Sequence, residues 1–319
     1  MASHLKAPPS YDVAFGNRYY AAHEVLGYGP SPNTLTRSRL ERDGRVLYDV
    51  TYDIDAYGHR LTPSKNAQAP RAALFFGCSN TFGEGLRAEE TLPAYFERAD
   101  APGRRAINYS FHGYGPHHML ALLEREVELE GLGNSRPDLG VYAWIPQHVT
   151  RGAGKAFWDS GPRYELDNGE LRFISPRERS LSHAALSVAR QSALIAKLFD
   201  VTIHRQDAAS ASDRDWDLMV RLVVESAQLF ERRHGGRFVV LLGEDPVDAG
   251  SWAVEKAHLR FVQAGLEVLV ASELVLQSIA SRASLPPICT RRRRSTNAWR
   301  LDSSRAWLPT GYDNSPRAN

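Results

Sequence analysis

The chain has 319 residues, 43% of them hydrophobic and 24% charged, with two cysteines, Cys78 and Cys289; that composition excludes a disordered or collagen-like polymer and a disulfide scaffold. The net charge is +2, yet seven arginines against two aspartates in residues 289–319 give +5 there and leave −3 for the rest, so only the run Arg291 to Arg294 argues for nucleic acid, and such a run is ordinarily a solvated end. No apolar run approaches the roughly 20 residues of a membrane helix, and the opening MASHLKAPPSYDVAF has no apolar signal core, so neither a membrane segment nor a signal peptide is expected and a cytoplasmic location is the default.

Residues 1–70 are rich in Tyr, Gly and turn formers, and within them Val46 to Ile54 alternates in the manner of a strand that ends before Tyr57-Gly58. From Arg71 the rhythm becomes strand, helix, strand. Ala72–Phe76, Arg105–Asn108, Leu139–Ile145, Phe238–Leu242 and Leu266–Val270 read as five strands. Helical spacing of apolar residues predicts helices over 117–130, 216–233 and 254–264, the second stopped by His234-Gly235-Gly236. This alternation implies right-handed βαβ units, a parallel sheet and helices on both faces. Ligands of such sheets bind beyond the carboxyl ends of the strands. Residues 150–212 interrupt the rhythm with an expected insertion flanking the site, which includes a hairpin around Asn168-Gly169.

The segment with the strongest chemical content is Leu74-Phe-Phe-Gly-Cys-Ser-Asn-Thr-Phe-Gly-Glu-Gly85. A strand runs into Gly77, and a turn of small residues presents Ser79 at the carboxyl end of the sheet. A nucleophilic serine needs that exposure, with backbone N–H donors close by; an ordinary tight βα turn uses the same residue types. The segment lacks the Gly-Lys-Ser/Thr of a phosphate-binding loop and does not fit Gly-x-Ser-x-Gly.

Gly77-Cys-Ser-Asn-Thr-Phe-Gly-Glu-Gly85 resembles the first sequence block of SGNH/GDSL-type hydrolases, with Cys78 in place of the usual Asp. Ile107-Asn-Tyr-Ser-Phe-His-Gly-Tyr-Gly-Pro116 is similar to the second block, and Tyr48 to Pro63 resembles the lead-in of bacterial members. The resemblance covers about residues 46–287. It implies a three-layer α/β/α flavodoxin-like sandwich with a five-stranded parallel sheet, Ser79 as nucleophile, and Gly113 as a backbone donor to an oxyanion hole. The family's third block supplies an Asn donor; here the strand end reads Ala143-Trp-Ile-Pro-Gln-His148, and Gln147 or His148 stands in its place.

The family carries its Asp and His near the C-terminus, where His accepts the serine proton and Asp orients it. Here that region reads Pro286-Pro-Ile-Cys-Thr-Arg, and no histidine follows His258. Written with G/C-ending codons and read from the third base, those residues become Ala-Asp-Leu-His-Pro, so residues 288–319 are expected to be disordered or out of frame. The expected organisation is an N-terminal arm over 1–70, a hydrolase domain over 71–287 and a basic tail over 288–319. Two functions follow from the resemblance. One is a serine hydrolase that cleaves carboxylic esters or O-acetylated sugars without a cofactor. The other is a binding protein of the same fold that lacks the Asp/His pair.

Elsewhere the histidines read as structural. His112 precedes Gly113 and is a loop imidazole at the site's edge, His117 and His118 project to different sides of a helix, and His183, His204, His234 and His258 are surface or structural. No metal-ligand spacing occurs. Trp144, Trp158 and Tyr164 are core residues or the lining of a substrate pocket.

Overall fold

The computed structural model describes residues 10–13, 19–42, 44–64, 67–100, 103–155, 161–174, 208–243 and 251–271. The tail 288–319, Cys289, Trp158, His183 and His204 lie outside the described residues. In chain order the strands are β1 Ser10–Val13, β2 Tyr20–His23, β3 Gly27–Pro30, β4 Thr34–Arg42, β5 Arg45–Ile54, β6 Arg71–Phe76, β7 Arg105–Asn108, β8 Arg136–Trp144, β9 Arg163–Asp167, β10 Glu170–Ile174, β11 Arg237–Leu242 and β12 Glu267–Val270. The helices are α1 Ser79–Phe82, α2 Leu92–Ala99, α3 Pro116–Glu124, α4 His148–Gly152, α5 Asp213–His234 and α6 Ser251–Gln263.

Five strands form one sheet in the order β12-β11-β8-β6-β7, and every pairing in it is parallel. All five coincide with the strands read from sequence, to within one to three residues at each end. Strand β6 lies inside the sheet, and Ala72 to Phe76 are buried. A central parallel strand covered on both faces needs that continuous apolar run. Phe75 and Ala73 face α2 through Phe96 and Leu92. Leu74 and Phe76 face the large cluster shared by α3, α5 and α6, in which Trp144, Trp216 and Phe261 are fully buried. The result is a three-layer α/β/α sandwich.

Helix α5 starts with a capping box, Ser212 accepting from the Asp215 amide while the Asp215 carboxylate accepts from the Ser212 amide. It ends at Gly235 in the left-handed conformation. The helix expected over 117–130 stops at Glu124. Glu126 adopts φ 59°, and a short 3-10 turn over Val127–Leu129 swings the Glu128 carboxylate inward against Arg233 and His234. An ion pair between a buried Glu128 and a partly exposed Arg233 thus replaces the last helical turn. The predicted hairpin is present as β9 and β10, with Asn168 at φ 50° and Gly169 at φ 85° in the turn. It packs Tyr164 into a cluster with Leu120, Leu218 and Leu222 and hydrogen-bonds Glu124 through the Tyr164 hydroxyl at 2.6 Å.

The arm is an antiparallel sheet of order β1-β4-β5 plus the hairpin β2-β3. Its Tyr19, Leu26, Tyr52 and Ile54 belong to the same buried cluster as the sheet. Arg60 joins the two regions, bridging Ile54 of β5 on one side and Asn108 of edge strand β7 on the other. No described helix is long and apolar enough to cross a membrane.

Candidate functional site

The five-stranded order is 2-1-3-4-5 in chain sequence, so the crossover direction reverses at β6. In an open α/β sheet the crevice at such a reversal, outside the strands' carboxyl ends, is the expected ligand site. Three adjacent strands deliver three loops to this place. Ser79 follows β6, Gly113 follows β7, and Gln147 and His148 follow β8.

Ser79 is the first residue of α1 and is half-buried, while Cys78 before it is extended and buried. At the first turn of a helix the amide N–H groups have no intrahelical acceptor, so the Ser79 amide is open to a ligand oxygen. Among the described residues no side chain hydrogen-bonds the Ser79 hydroxyl. The turn closes behind it: the amides of Gly83 and Glu84 both donate to the Ser79 carbonyl at 2.9 Å. Gly83 takes φ 87°, and a Cβ there would lie 2.5 Å from the Thr91 side chain, so only glycine fits.

Three further contacts fix this turn. The Arg60 guanidinium, 2% exposed, donates through Nη1 to the carbonyls of Phe82 (2.7 Å) and Gly83 (2.6 Å) and through Nη2 to that of Leu86 (2.6 Å). It also lies over the rings of Tyr52 and Phe82, 4.5 and 4.9 Å from their centroids. Burial pulls its pKa down to about 10, which leaves it charged at neutral pH. Asn108, at the end of β7, donates through Nδ2 to the Thr81 carbonyl at 3.1 Å and accepts from the Ser110 amide. The Tyr52 hydroxyl accepts from the Gly85 amide at 2.8 Å.

Gly113 sits at φ 77°, a left-handed conformation that favours glycine. The His112 ring before it is held at both nitrogens, by Glu84 at Nδ1 (3.3 Å) and by the Tyr19 hydroxyl at Nε2 (2.7 Å). Its carbonyl accepts from the Tyr28 hydroxyl at 2.8 Å. The Glu84–His112 contact therefore ties the Ser79 turn to the Gly113 loop. On the far side Arg151 of α4 donates to the Tyr114 carbonyl at 3.2 Å and ties that loop to the β8 end. Behind the loop is a cavity of about 110 Å³ walled by Leu26, Tyr109, Phe111, Tyr114, Leu122 and Val127.

The two residues after β8 part company. Gln147 is partly exposed at the start of α4. His148 is fully buried, with Nδ1 2.8 Å from the Tyr142 hydroxyl and within reach of the Ile145 amide. Its Nε2 is buried without a partner among the described residues, and burial pushes its pKa well below the usual imidazole value. His117 and His118 differ from the reading as opposite-facing helix residues: both are buried, their rings 4.2 Å apart, and His118 stacks on Tyr114 at 4.1 Å. His234 is buried beside Glu128, and His258 is half-buried on α6. Trp144 is fully buried and Tyr164 nearly so. Among the described residues no group of three His, Cys, Asp or Glu side chains is arranged to hold a metal.

Arg60, Tyr52, Asn108 and Glu84 were not singled out in the sequence. Arg60 stands in the lead-in segment, where one arginine after Gly58-His59 carries no spacing signal. Its importance depends on three carbonyls that come together only in the fold.

No protein-family model matches the sequence, and no curated protein matches it closely. Among solved structures the chain is similar to a serine-to-alanine mutant of the esterase AlinE4, at 15% identity and a TM-score of 0.34 over 71% of this chain and 86% of that one.

Proposed function

We propose that the protein is a serine hydrolase of SGNH type acting on small carboxylic esters or O-acetylated sugars. The observation that carries this reading is the convergence of Ser79, Gly113 and Gln147 on the ends of three neighbouring strands at the sheet's crossover reversal. The Ser79 hydroxyl attacks the ester carbonyl carbon, and the carbonyl oxygen takes the charge. The amides of Ser79 and Gly113 receive that oxyanion, with Gln147 as the third donor. Each donor is worth on the order of 3 kcal/mol in the transition state. Collapse of the tetrahedral species expels the alcohol, which leaves with the serine proton, and water then hydrolyses the acyl-enzyme.

A base must carry that proton. The resemblance puts it in an Asp-x-His block past the described residues, in the alternative frame of residues 286–290. In the frame as written no histidine follows His258, and this observation favours the second reading, a binding protein of the same fold without turnover.

Hydrolysis of 4-nitrophenyl acetate and labelling by a fluorophosphonate separate the two. The hydrolase reading expects turnover and labelling that both vanish in Ser79→Ala. Gly113→Ala is expected to lower kcat by roughly 10²- to 10³-fold, the effect of losing one oxyanion donor. Turnover that survives Ser79→Ala would sink the reading. A folded wild type without turnover or labelling overturns the hydrolase reading and leaves the binding protein, and sequencing the gene across codons 280–319 then shows whether the Asp-x-His block is encoded.

A further inference from the structure

We infer that Arg60 is a positioning residue for the nucleophile, a role that rests on the hydrolase reading of Ser79. A four-residue helix has almost no stability of its own, because nucleation is costly and a single turn repays little of it. Something outside α1 must hold Ser79 in register with Gly113. The last carbonyls of a helix are its unsatisfied, electronegative end. Those of α1 and the following turn, at Phe82, Gly83 and Leu86, all point at one guanidinium.

The geometry suits arginine alone. Its planar fork reaches three acceptors from two terminal nitrogens, whereas a lysine ammonium is a point donor on a flexible stem. Among the described residues the guanidinium makes no ion pair, so its charge is answered by carbonyl dipoles and by the faces of Tyr52 and Phe82. The same residue is tied through its backbone to Asn108, whose side chain holds the Thr81 carbonyl. Arg60 thus fixes the back of the nucleophile turn to the strand that leads into the Gly113 loop. The distance between the two backbone donors is set by this connection rather than by the sheet alone. Displacing reacting groups by about 1 Å can cost on the order of 100-fold in rate.

The test compares Arg60→Lys with the wild type, with Ser79→Ala as the control and fluorophosphonate titration to count active sites. Hydrogen exchange at the Gly83 and Glu84 amides reads the turn directly. The expected result is a fall in kcat per active site of roughly 10- to 100-fold with KM within about twofold, and faster exchange at those two amides while the sheet stays protected. Arg60→Ala is the harsher variant; if it folds, added methylguanidinium is expected to restore part of its kcat. An unchanged kcat per site in Arg60→Lys, with turnover still abolished in Ser79→Ala, overturns the role of Arg60 and leaves the hydrolase reading standing. A uniform loss of active sites with normal kcat in the remainder also overturns it, because the residue would then serve stability only. Turnover indifferent to Ser79→Ala overturns the hydrolase reading and this inference with it.

Discussion

Strand β6 of the parallel sheet buries every side chain from Ala72 to Phe76, whereas β4 of the arm buries Thr34, Thr36 and Ser38 and leaves Arg37 to solvent. The first is a structure of apolar volume, covered on both faces by helices. The second is a polar antiparallel sheet whose inward row is largely hydroxyls, with Tyr19 and Tyr52 supplying the packing against Phe82 and Phe111. The two regions also act differently at the site. The sheet brings Ser79, Gly113 and Gln147 to one end, and the arm then restrains the loops through Arg60, Tyr52, Tyr19 and Tyr28. Placement comes from the core and restraint from the periphery, so each region is expected to answer mutation in its own way.

The largest effect on stability is expected in the sheet. Phe75→Ala removes a ring that is 1% exposed and packs edge-on against Phe96 at 5.3 Å. Loss of about 3–5 kcal/mol is expected, the transfer and cavity cost of truncating a buried Phe, read as a lower denaturant midpoint with an unchanged slope. A loss below about 1 kcal/mol would mean that the α2 face of the sheet is not a close-packed layer.

A smaller loss of stability with a larger loss of activity is the signature expected of the arm. Tyr52→Phe deletes one oxygen, the acceptor of the Gly85 amide. The Gly85 amide is only partly buried, so losing its acceptor costs about 1 kcal/mol, and kcat is expected to fall by more than the change in stability alone explains. Equal effects on folding and turnover, or none on turnover, would remove the division between placement and restraint.

These two regions also differ in how far they were legible beforehand. The sheet strands announce themselves because Ala72–Phe76 and Phe238–Leu242 are continuous apolar runs, and Asn168-Gly169 names its own turn. Strand β4 was invisible to the same reasoning because its buried row is Thr34, Thr36 and Ser38, which a hydrophobic period passes over. The site was half legible. Ser79 and Gly113 follow recognisable strand ends, but Arg60 and Glu84 are ordinary charged residues until the fold sets carbonyls and an imidazole around them. The overlong helix at 117–130 failed for a related reason: Glu128 is drawn inward by Arg233 and His234, about a hundred residues away in sequence, and local spacing cannot register that.

His148 supplies a pH test of the sheet's end. Its pKa in the fold lies well below the usual value because burial disfavours the charged ring, with Arg151 adding to the effect. The unfolded imidazole takes up a proton near pH 6.5 while the folded one does not. Stability from this group is therefore complete above that pH and declines as pH falls below it. His23, lowered by burial in the arm, works in the same direction. Denaturation measured from about pH 7.5 down to about pH 5, above the usual carboxylate range, is expected to show a falling midpoint, with the Glu124 carboxyl, raised by burial, working in the opposite direction. His148→Asn should lie lower at neutral pH, having lost the ring's packing, and should show a shallower decline. An equally steep decline in the variant would remove His148 as its source.

The smallest effect is expected at the arm's outer surface. Arg37 donates through Nε to Asp49 at 2.7 Å and through Nη2 in a two-pronged pair, and this hydrogen bonding holds the Asp49 carboxyl below its usual pKa. Yet the Arg37 side chain is 53% exposed, and solvent and salt screen such a pair while ordering two long side chains opposes it. The geometry is as good as that of Arg60, and the surroundings are not. Arg37→Ala is expected to leave the denaturation midpoint, the turnover and the exchange of the Gly83 and Glu84 amides unchanged within error. Those amides report the turn that Arg60 holds, so the pair of variants asks whether an arginine restrains the site because it is in the arm or because it is buried against carbonyls. Faster exchange at Gly83 in Arg37→Ala would mean that the whole β4-β5 ladder transmits to the site. No change there, with a clear one in Arg60→Lys, confines the restraint to the single guanidinium that reaches the turn.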